Sequence, residues 1–389
     1  MRLNMATCVL AVVAAVWAPG GLAQAPSADL TFFGRVDLGL VAIDDGTRSN
    51  TRVDSGRYTE SRWGLRGTEN LGGGWAAIFY LESGYSVDTA TLNQGGRLFG
   101  RGAYAGLRSD RWGQVSLGRQ YVPLFWPLLF ADDTGRLRLH TFSATQTIER
   151  GNVVRLAQSA SPISGGGSLD ASSGGIYTIG ATSAFEDNQV VYQTPSFGGA
   201  TVMLSFGTGA ELASTSSIVR NDQRVLGANV EWRPPAIKDL YLGAAWNEKR
   251  GQRAIGMALY DQKLTESAFT GQYVFPSGFS VWGNFHPFEL ISGPQRLQGS
   301  DYMVGLSYRM PSGLLWGNHS AKRISDCASC GAKGFGIGYQ HHLSKRTELY
   351  AFYSRIDNDA NSAIGIGGVD PSAPGKDPSG YGVGLATQF

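Results

Sequence analysis

The chain has 389 residues, of which 42% are hydrophobic, 16% are charged and 54 are glycine. Its formal net charge of +2 excludes the strongly basic field that nucleic-acid binding requires. Beyond the N-terminal segment, no run of 18 or more apolar residues exists, so the sequence predicts no transmembrane helix. High glycine content and low charge indicate many short strands joined by turns.

The first 23 residues have the pattern of a secretory signal peptide. A basic start at Arg2 is followed by an apolar run from Cys8 to Trp17 and then by small residues. That run is too short to serve comfortably as a membrane anchor. We therefore expect cleavage after Ala23, export across the inner membrane, and a single mature domain of residues 24–389.

Residues 61–121 show the alternation that governs the rest of the chain. Trp63 and Leu65 alternate with Arg62 and Arg66, so one face of this strand is apolar and the other is charged. Residues 75–82 repeat the pattern with tryptophan, phenylalanine and leucine on one face. A soluble sandwich and a membrane barrel both produce this period, but a membrane barrel turns its apolar face to lipid and its polar face to the lumen.

The spacing of the connections distinguishes these two architectures. Short connections rich in Gly and Pro, which favour tight hairpin turns, alternate along the chain with long connections rich in Gly, Ser, Asp and Asn. The short ones are residues 70–74, 110–113, 195–199, 234–238, 276–278, 311–313 and 344–346, and the long ones are residues 44–56, 88–97, 122–183, 208–222, 249–263, 286–300, 322–333 and 357–379. This rhythm predicts an all-β fold, a 16-stranded antiparallel transmembrane β-barrel with its long loops on the outer side.

Several segments resemble the Gram-negative general porins, and most of all the trimeric porins of neisserial and burkholderial type. The segments are LTFFGRVDLG (residues 30–39), SRWGLRGTE (61–69), GRLFGRGAYAGL (96–107), LGRQY (117–121) and the terminal Phe389. The resemblance implies an outer-membrane channel for passive diffusion of small hydrophilic solutes and ions. It also implies a homotrimer, contact with outer-membrane lipid and lipopolysaccharide, delivery to the barrel-assembly machinery through the C-terminal strand, and a long third loop folded into the lumen.

Such porins carry a basic cluster on the wall, and matching positions in this chain define our candidates for the pore constriction. By alternation Arg62 and Arg66 point inward, and Arg35 shares the face opposite Val36 and Leu38. Some of these arginines could instead reach the headgroups from strand ends. Arg119 could equally share a face with leucine and valine. The candidates on the wall are Arg35, Arg62, Arg66, Arg101 and Arg119.

The third long loop, residues 122–183, is expected to supply the acidic side of the constriction. Its apolar residues 123–130 are expected to pack against the wall. Asp132, Asp133 and Glu149 are the candidate acids, although they could equally be solvated loop charges. The acidic Pro-Glu-Phe-Gly type of motif of the family is absent, and Phe185-Glu186 replaces a further wall arginine. Because inward arginines outnumber the acids that can be assigned, we expect weak anion selectivity.

Three other functions are weighed against the diffusion pore. A substrate-specific channel for a sugar, phosphate or carboxylate fits the same pattern, and an adhesin barrel would have a plugged lumen. A barrel-embedded hydrolase needs a serine–histidine pair, but no nucleophile motif accompanies the five histidines. We expect no enzyme activity, no cofactor and no metal site. Cys327 and Cys330 are expected to form a local disulfide rather than a zinc site, because a second ligand pair is missing.

Overall fold

The computed structural model describes residues 28–130, 184–208, 224–255, 258–325, 327–366, 369 and 371–389. These residues form strand segments and two short helices. They are β1 (Ala28–Asp44), β2 (Ser49–Ser55), β3 (Arg62–Gly72), β4 (Trp75–Ser86), β5 (Thr91–Leu92), α1 (Asn93–Gly96), β6 (Gly102–Ser109), β7 (Gly113–Tyr121), α2 (Phe125–Phe130), β8 (Phe185–Gln193), β9 (Ala200–Gly207), β10 (Arg224–Trp232), β11 (Leu240–Ile255), β12 (Ala258–Val274), β13 (Phe279–Ser292), β14 (Gln295–Met310), β15 (Gly313–Ile324), β16 (Ala332–His342), β17 (Thr347–Asn358) and β18 (Ser379–Gln388).

The strands pair antiparallel in chain order, and the sheet closes where β1 pairs with β18, with Leu38 opposite Leu385. β2 and β3 both pair with β1, on its two halves, and therefore occupy one position in the wall. β5 and β6 likewise share the position beside β4. The eighteen segments of the described chain thus make sixteen wall strands, which confirms the predicted 16-stranded antiparallel barrel.

The two faces of the wall differ as the alternation predicts. One face exposes large apolar side chains, among them Leu40, Phe269 and Val383. The opposite face carries charged groups such as Asp37 and Glu82, which are buried from solvent. In a closed transmembrane barrel the apolar face meets lipid and the polar face lines the interior. In the part of the chain that the structure describes, no helix has the length and apolar character needed to cross a membrane.

All seven predicted short turns lie between consecutive strands, but several predicted long loops contain strand residues. Residues 49–55 of the predicted loop 44–56 form β2, and two other predicted loops are replaced by extended hairpins. β11 and β12 pair continuously to Ile255 opposite Ala258, and β13 and β14 pair to Ser292 opposite Gln295. The polar residues that suggested loops therefore lie on strands. The reason is visible on the inward face, where three leucines stand in register on neighbouring strands and are all buried: Leu264, Leu290 and Leu297.

The second wall strand is interrupted, which the sequence did not predict. Residues 56–61 leave the sheet between β2 and β3 and fold against the inward face. The carboxylate of Asp37 accepts hydrogen bonds from the backbone N–H groups of Tyr58 and Thr59, at 2.7 and 2.6 Å. The Tyr58 hydroxyl donates to Glu348 on β17 at 2.5 Å. The interruption is therefore held in place by buried polar contacts on both sides of the seam between β1 and β18.

The chain ends inside that seam. Phe389 and Gly34 exchange backbone hydrogen bonds of 3.0 and 3.1 Å. The Phe389 ring packs beside Phe32 with 5.5 Å between ring centroids. A side chain at position 34 would collide with the Phe389 ring, so glycine is required for this close approach.

Candidate functional site

Four charged side chains meet on the inward face of β3, β4 and β6, and we call them the wall cluster: Arg62, Arg101, Glu60 and Glu82. The Glu82 carboxylate lies 3.1 Å from Nε of Arg62 and 3.4 Å from Nε of Arg101. Arg101 also pairs directly with Glu60, which the interrupted strand brings into the barrel. The wall cluster therefore has two guanidinium groups and two carboxylates, and its charges balance.

Neighbouring groups hold the two arginines of the wall cluster in place. Arg101 is only 4% exposed, and its guanidinium lies 5.1 Å from the ring centre of Phe185 and 5.8 Å from that of Tyr121. Arg62 donates to the Thr59 hydroxyl at 3.2 Å and to the Glu60 carbonyl at 3.1 Å. A buried charge is tolerated when it is paired and hydrogen-bonded in this way.

Arg35 and Arg66 point to the same side of the wall as Arg62, but they are arranged differently. Arg35 stands opposite Arg62 in the register and donates to the Gln388 side chain at 2.9 Å. Arg66 is exposed, lies over the ring of Phe33 at 5.7 Å, and makes no ion pair with any described residue. Among the described residues, Arg66 is therefore a positive charge without a fixed counter-ion.

Arg119 belongs to a second ion-paired group. The register between β7 and β8 shifts between Gly118 and Gln120, which takes Arg119 out of strict alternation with Leu117. Its guanidinium lies 2.7 Å from Asp187, which also pairs with Arg97 at 2.7 Å. Strict alternation would place Arg119 on the same face as Leu117. The register shift turns its side chain away from that face, because a bulge redirects a side chain.

The opposite part of the inward face is covered by the start of the long third loop. The carbonyl of Pro123 accepts a hydrogen bond from the Asn229 side chain at 2.8 Å. The expected packing of this apolar stretch against the wall is present, and the stretch contacts β10, β11 and β12. The buried residues of the contact are Val122, Leu124, Phe125, Leu128, Val225, Ala245 and Ala268.

The remainder of that loop, residues 131–183, lies outside the described residues. Asp132, Asp133 and Glu149 fall within it, so their role in the constriction stays a prediction. The full folding of the loop into the lumen stays a prediction for the same reason.

The two glutamates of the wall cluster were not among the predicted site residues. Glu82 carried a signal, since it shares the inward phase of Tyr80 on β4. Glu60 carried none, because it lies in an irregular segment without a period. Cys327 and Cys330 are joined in a disulfide on the connection between β15 and β16, with their Cα atoms 5.6 Å apart.

The arrangement can select solutes by charge without any chemistry. A barrel of sixteen strands encloses an aqueous channel, and charged side chains on its wall act as a field on passing ions. Within the described residues, no group of His, Cys, Asp and Glu could hold a metal ion. Fold and site together define a water-filled transmembrane channel.

Comparison with known proteins identifies the family of this channel. The family model of the Gram-negative porins matches residues 6–361, so the chain belongs to the Gram-negative porin family. It is 28% identical over 393 residues to outer membrane porin protein 32 of Delftia acidovorans, covering 97% of this chain and 99% of that one. It is 27% identical over 409 residues to an outer membrane porin of Bordetella pertussis, covering 89% and 95% of the two chains.

The fold has a close counterpart among solved structures. The anion-selective porin from Comamonas acidovorans matches with a TM-score of 0.74 and 22% identity, over 93% of this chain and 100% of that chain. The protein is therefore an outer-membrane porin, a channel for the passive passage of small hydrophilic solutes and ions.

Proposed function

We propose that this porin prefers anions weakly, because the inner wall beside the wall cluster carries an arginine that makes no ion pair with any described residue. The observation that carries the proposal is Arg66, which is exposed on the inward face without an ion pair to any described residue. The wall cluster is neutral by itself, so Arg66 adds a positive charge beside it. Field lines from uncompensated charges are focused in a narrow aqueous path through a low-dielectric wall. The anion-selective porin from Comamonas acidovorans supports the proposal at the level of the fold.

The test is the reversal potential of purified protein in a planar bilayer with asymmetric potassium chloride. The native protein is expected to pass chloride more readily than potassium. Arg66→Gln should shift the reversal potential toward cations and leave the barrel folded. Arg346→Gln is the matched control, because Arg346 lies in the exposed turn between β16 and β17. Cation preference in the native protein, or equal shifts in both variants, would contradict the proposal.

A buried histidine on β13 argues against the hydrolase alternative. His286 is fully buried, and its Nε2 lies 3.4 Å from Glu266 and its Nδ1 3.2 Å from Asp301. A histidine whose two ring nitrogens both face carboxylates has no nitrogen available to activate a serine. We therefore propose that the protein has no hydrolase activity, which is tested by assaying ester and phospholipid cleavage by the purified channel. Turnover that is lost in His286→Gln would reverse this conclusion.

We further propose that the protein is a homotrimer in the outer membrane, surrounded by lipid and lipopolysaccharide. We also propose that the barrel-assembly machinery recognises its C-terminal strand. The resemblance to trimeric porins supports the trimer. The apolar outward faces of β1, β17 and β18 meet in a shallow groove suited to lipid or a second subunit, lined by Leu38, Leu40, Val53, Leu349, Val383 and Leu385. Light scattering of the detergent-purified protein tests the trimer, and removal of Phe389 tests recognition, with reduced outer-membrane yield expected.

A further inference from the structure

We propose that the inner wall carries a binding site for aromatic carboxylates, formed by Arg66 together with a row of three rings. We call this row the aromatic column: Phe33, Tyr80 and Tyr104. The proposal names a substrate class for the channel, and it rests on the proposed function to the extent that solutes must reach the lumen.

The aromatic column lies on the inward face, with its rings on β1, β4 and β6. The first two of these strands are separated by β3. Phe33 and Tyr80 stack with 5.5 Å between ring centroids and 27° between ring planes. Tyr80 and Tyr104 stack at 5.3 Å and 19°. Arg66 lies over the ring of Phe33 at 5.7 Å, so a guanidinium stands at one end of the column. All three rings are half-buried, which leaves part of each ring exposed.

Two glycines on the inward face provide the space for this stack. A Cβ atom at Gly64 would lie 2.6 Å from Cζ of Phe33, and one at Gly102 would lie 3.0 Å from Cδ1 of Tyr80. The absence of side chains at Gly64 and Gly102 therefore leaves room for the rings of Phe33 and Tyr80. The column is pre-formed, which lowers the entropy lost when a ligand binds.

Two polar groups of this site, the Arg66 guanidinium and the Tyr104 hydroxyl, have no hydrogen-bond or ion-pair partner among the described residues and can bind a ligand. Tyr80 shares the inward face of β4 with Glu82, so its hydroxyl lies toward the wall cluster. Arg62, Arg101 and Arg119 are each paired with a carboxylate, whereas Arg66 is not. The site thus offers one free guanidinium, one free hydroxyl and three ring edges.

This combination selects an anion with a flat apolar body. A carboxylate can accept two parallel hydrogen bonds from a guanidinium, which is among the stronger polar contacts in proteins. The positive edges of the column rings suit contact with the face of an aromatic ligand. A sugar would need several polar partners where the column offers ring edges, and inorganic phosphate would leave the rings unused. Aromatic carboxylates such as benzoate satisfy both parts of the site.

The position of the site suits a channel that concentrates its solute. On β4, Tyr80 is two residues closer to the short turns than Glu82, a distance of roughly 7 Å along the strand. A solute would therefore meet the aromatic column directly beside the wall cluster. Binding of this kind accelerates transport at low solute concentration when the site is weak enough to release its ligand.

The test measures block of potassium chloride conductance by sodium benzoate, with sodium acetate as the carboxylate that lacks a ring. Benzoate should reduce the current with saturation, and its half-blocking concentration should be about tenfold lower than that of acetate. Arg66→Gln should raise the half-blocking concentration of benzoate about tenfold, and Tyr104→Leu about threefold. Arg108→Gln is the matched control, because Arg108 is exposed on the inward face of β6 but makes no contact with the column.

The outcomes separate this inference from the proposed function. Equal block by benzoate and acetate, or equal effects of Arg66→Gln and Arg108→Gln, would overturn the binding site while conductance and anion preference still stand. Absence of any potassium chloride conductance would instead refute the channel itself. A variant that fails to fold is recognised by its heat-modified mobility on gels, and Arg66→Lys then replaces Arg66→Gln, with an intermediate loss of benzoate affinity expected.

Discussion

The two sides of the inner wall are stabilised in different ways. On β1 to β8 the inward face carries charges, and the buried ones are paired, as in the contact of Glu82 with Arg62. On β10 to β14 the inward face is covered by an apolar segment, and Leu129 packs beside the buried pair Trp282 and Met303. One side is therefore suited to set the electric field of the channel, and the other to anchor the start of the long third loop.

This difference explains why the wall cluster can be both charged and stable. Burying a charge is costly unless a partner is fixed nearby, so the first side needs the interrupted strand to deliver Glu60 to Arg101. On the second side the contacts of the loop segment are apolar and depend on close packing, while the buried charges beside them are paired, as Lys249 is with Glu186 and His286 with Asp301. Changes on the second side should therefore affect the fixation of the loop, and changes on the first side should affect selectivity.

The largest effect is expected on the packed side. Leu128 is 1% exposed, and Leu128→Asp would place a carboxylate among apolar side chains without a partner. We expect the segment to detach from the wall at a cost of more than about 3 kcal/mol, since an unpaired buried charge is among the most destabilising changes. Single-channel recordings should then show larger and noisier currents. Leu128→Met is the control, and recordings of Leu128→Asp that match those of the native protein would refute the anchoring role.

On the charged side, Glu82→Gln should change selectivity more than stability. The substitution leaves Arg62 without its carboxylate partner and Arg101 with Glu60 alone. We expect the chloride-to-potassium permeability ratio to rise about twofold and the free energy of unfolding to fall by about 2 kcal/mol. Reversal potential and urea unfolding measure the two quantities. Asp88→Asn removes the same charge from an exposed connection, and an equal rise in that variant would show that Glu82 does not act through the lumen.

A smaller effect is expected where the interrupted strand meets the seam. The Tyr350 hydroxyl donates to Asp37 at 2.7 Å, and both residues are buried. Tyr350→Phe should cost about 1 kcal/mol, because the Asp37 carboxylate keeps its two backbone donors. Selectivity should stay unchanged, which distinguishes this contact from those of the wall cluster. Tyr381→Phe, on the exposed outward face, serves as the reference in the same urea titration, and a cost as large as that of Tyr350→Phe would argue against the buried hydrogen bond.

The smallest effect is expected at the disulfide outside the barrel wall. Cys327 and Cys330 are three residues apart, so their bond restricts the unfolded chain very little. Replacing both by serine should lower the free energy of unfolding by less than about 1 kcal/mol and leave the conductance unchanged. Native protein treated with a reducing agent gives the comparison. A change in ion selectivity would mean that this connection reaches the conduction path.

Regular features of the fold could be predicted from the sequence, and irregular ones could not. The period of two fixed the inward direction of Arg62 and Arg66, and Gly and Pro fixed the short turns. The shift at Gly118 and the interruption before Arg62 depend on contacts between distant residues, such as Tyr58 with Glu348. Such contacts leave no local pattern. The extended hairpins escaped prediction because polar residues on strands resemble those of loops.

The pairing of charges in the wall cluster could not be predicted from the sequence either. Alternation predicts which side chains face the lumen, but it does not predict which of them are close enough to pair. Arg101 lies just before β6 and Glu60 lies in the irregular segment between β2 and β3, so their contact is visible only in the assembled barrel. Alternation likewise does not predict that Arg66 makes no ion pair with any described residue.

The seam between β1 and β18 has a consequence for biogenesis. Arg35 and Gln388, whose side chains bond across it, are separated by 353 positions in the chain. Other neighbouring wall strands follow one another along the chain, whereas this pair must wait until β18 has been synthesised. Until then the sheet has two open edges that attract other strands. A chain truncated before its final strand is therefore expected to aggregate in the periplasm or to be degraded there.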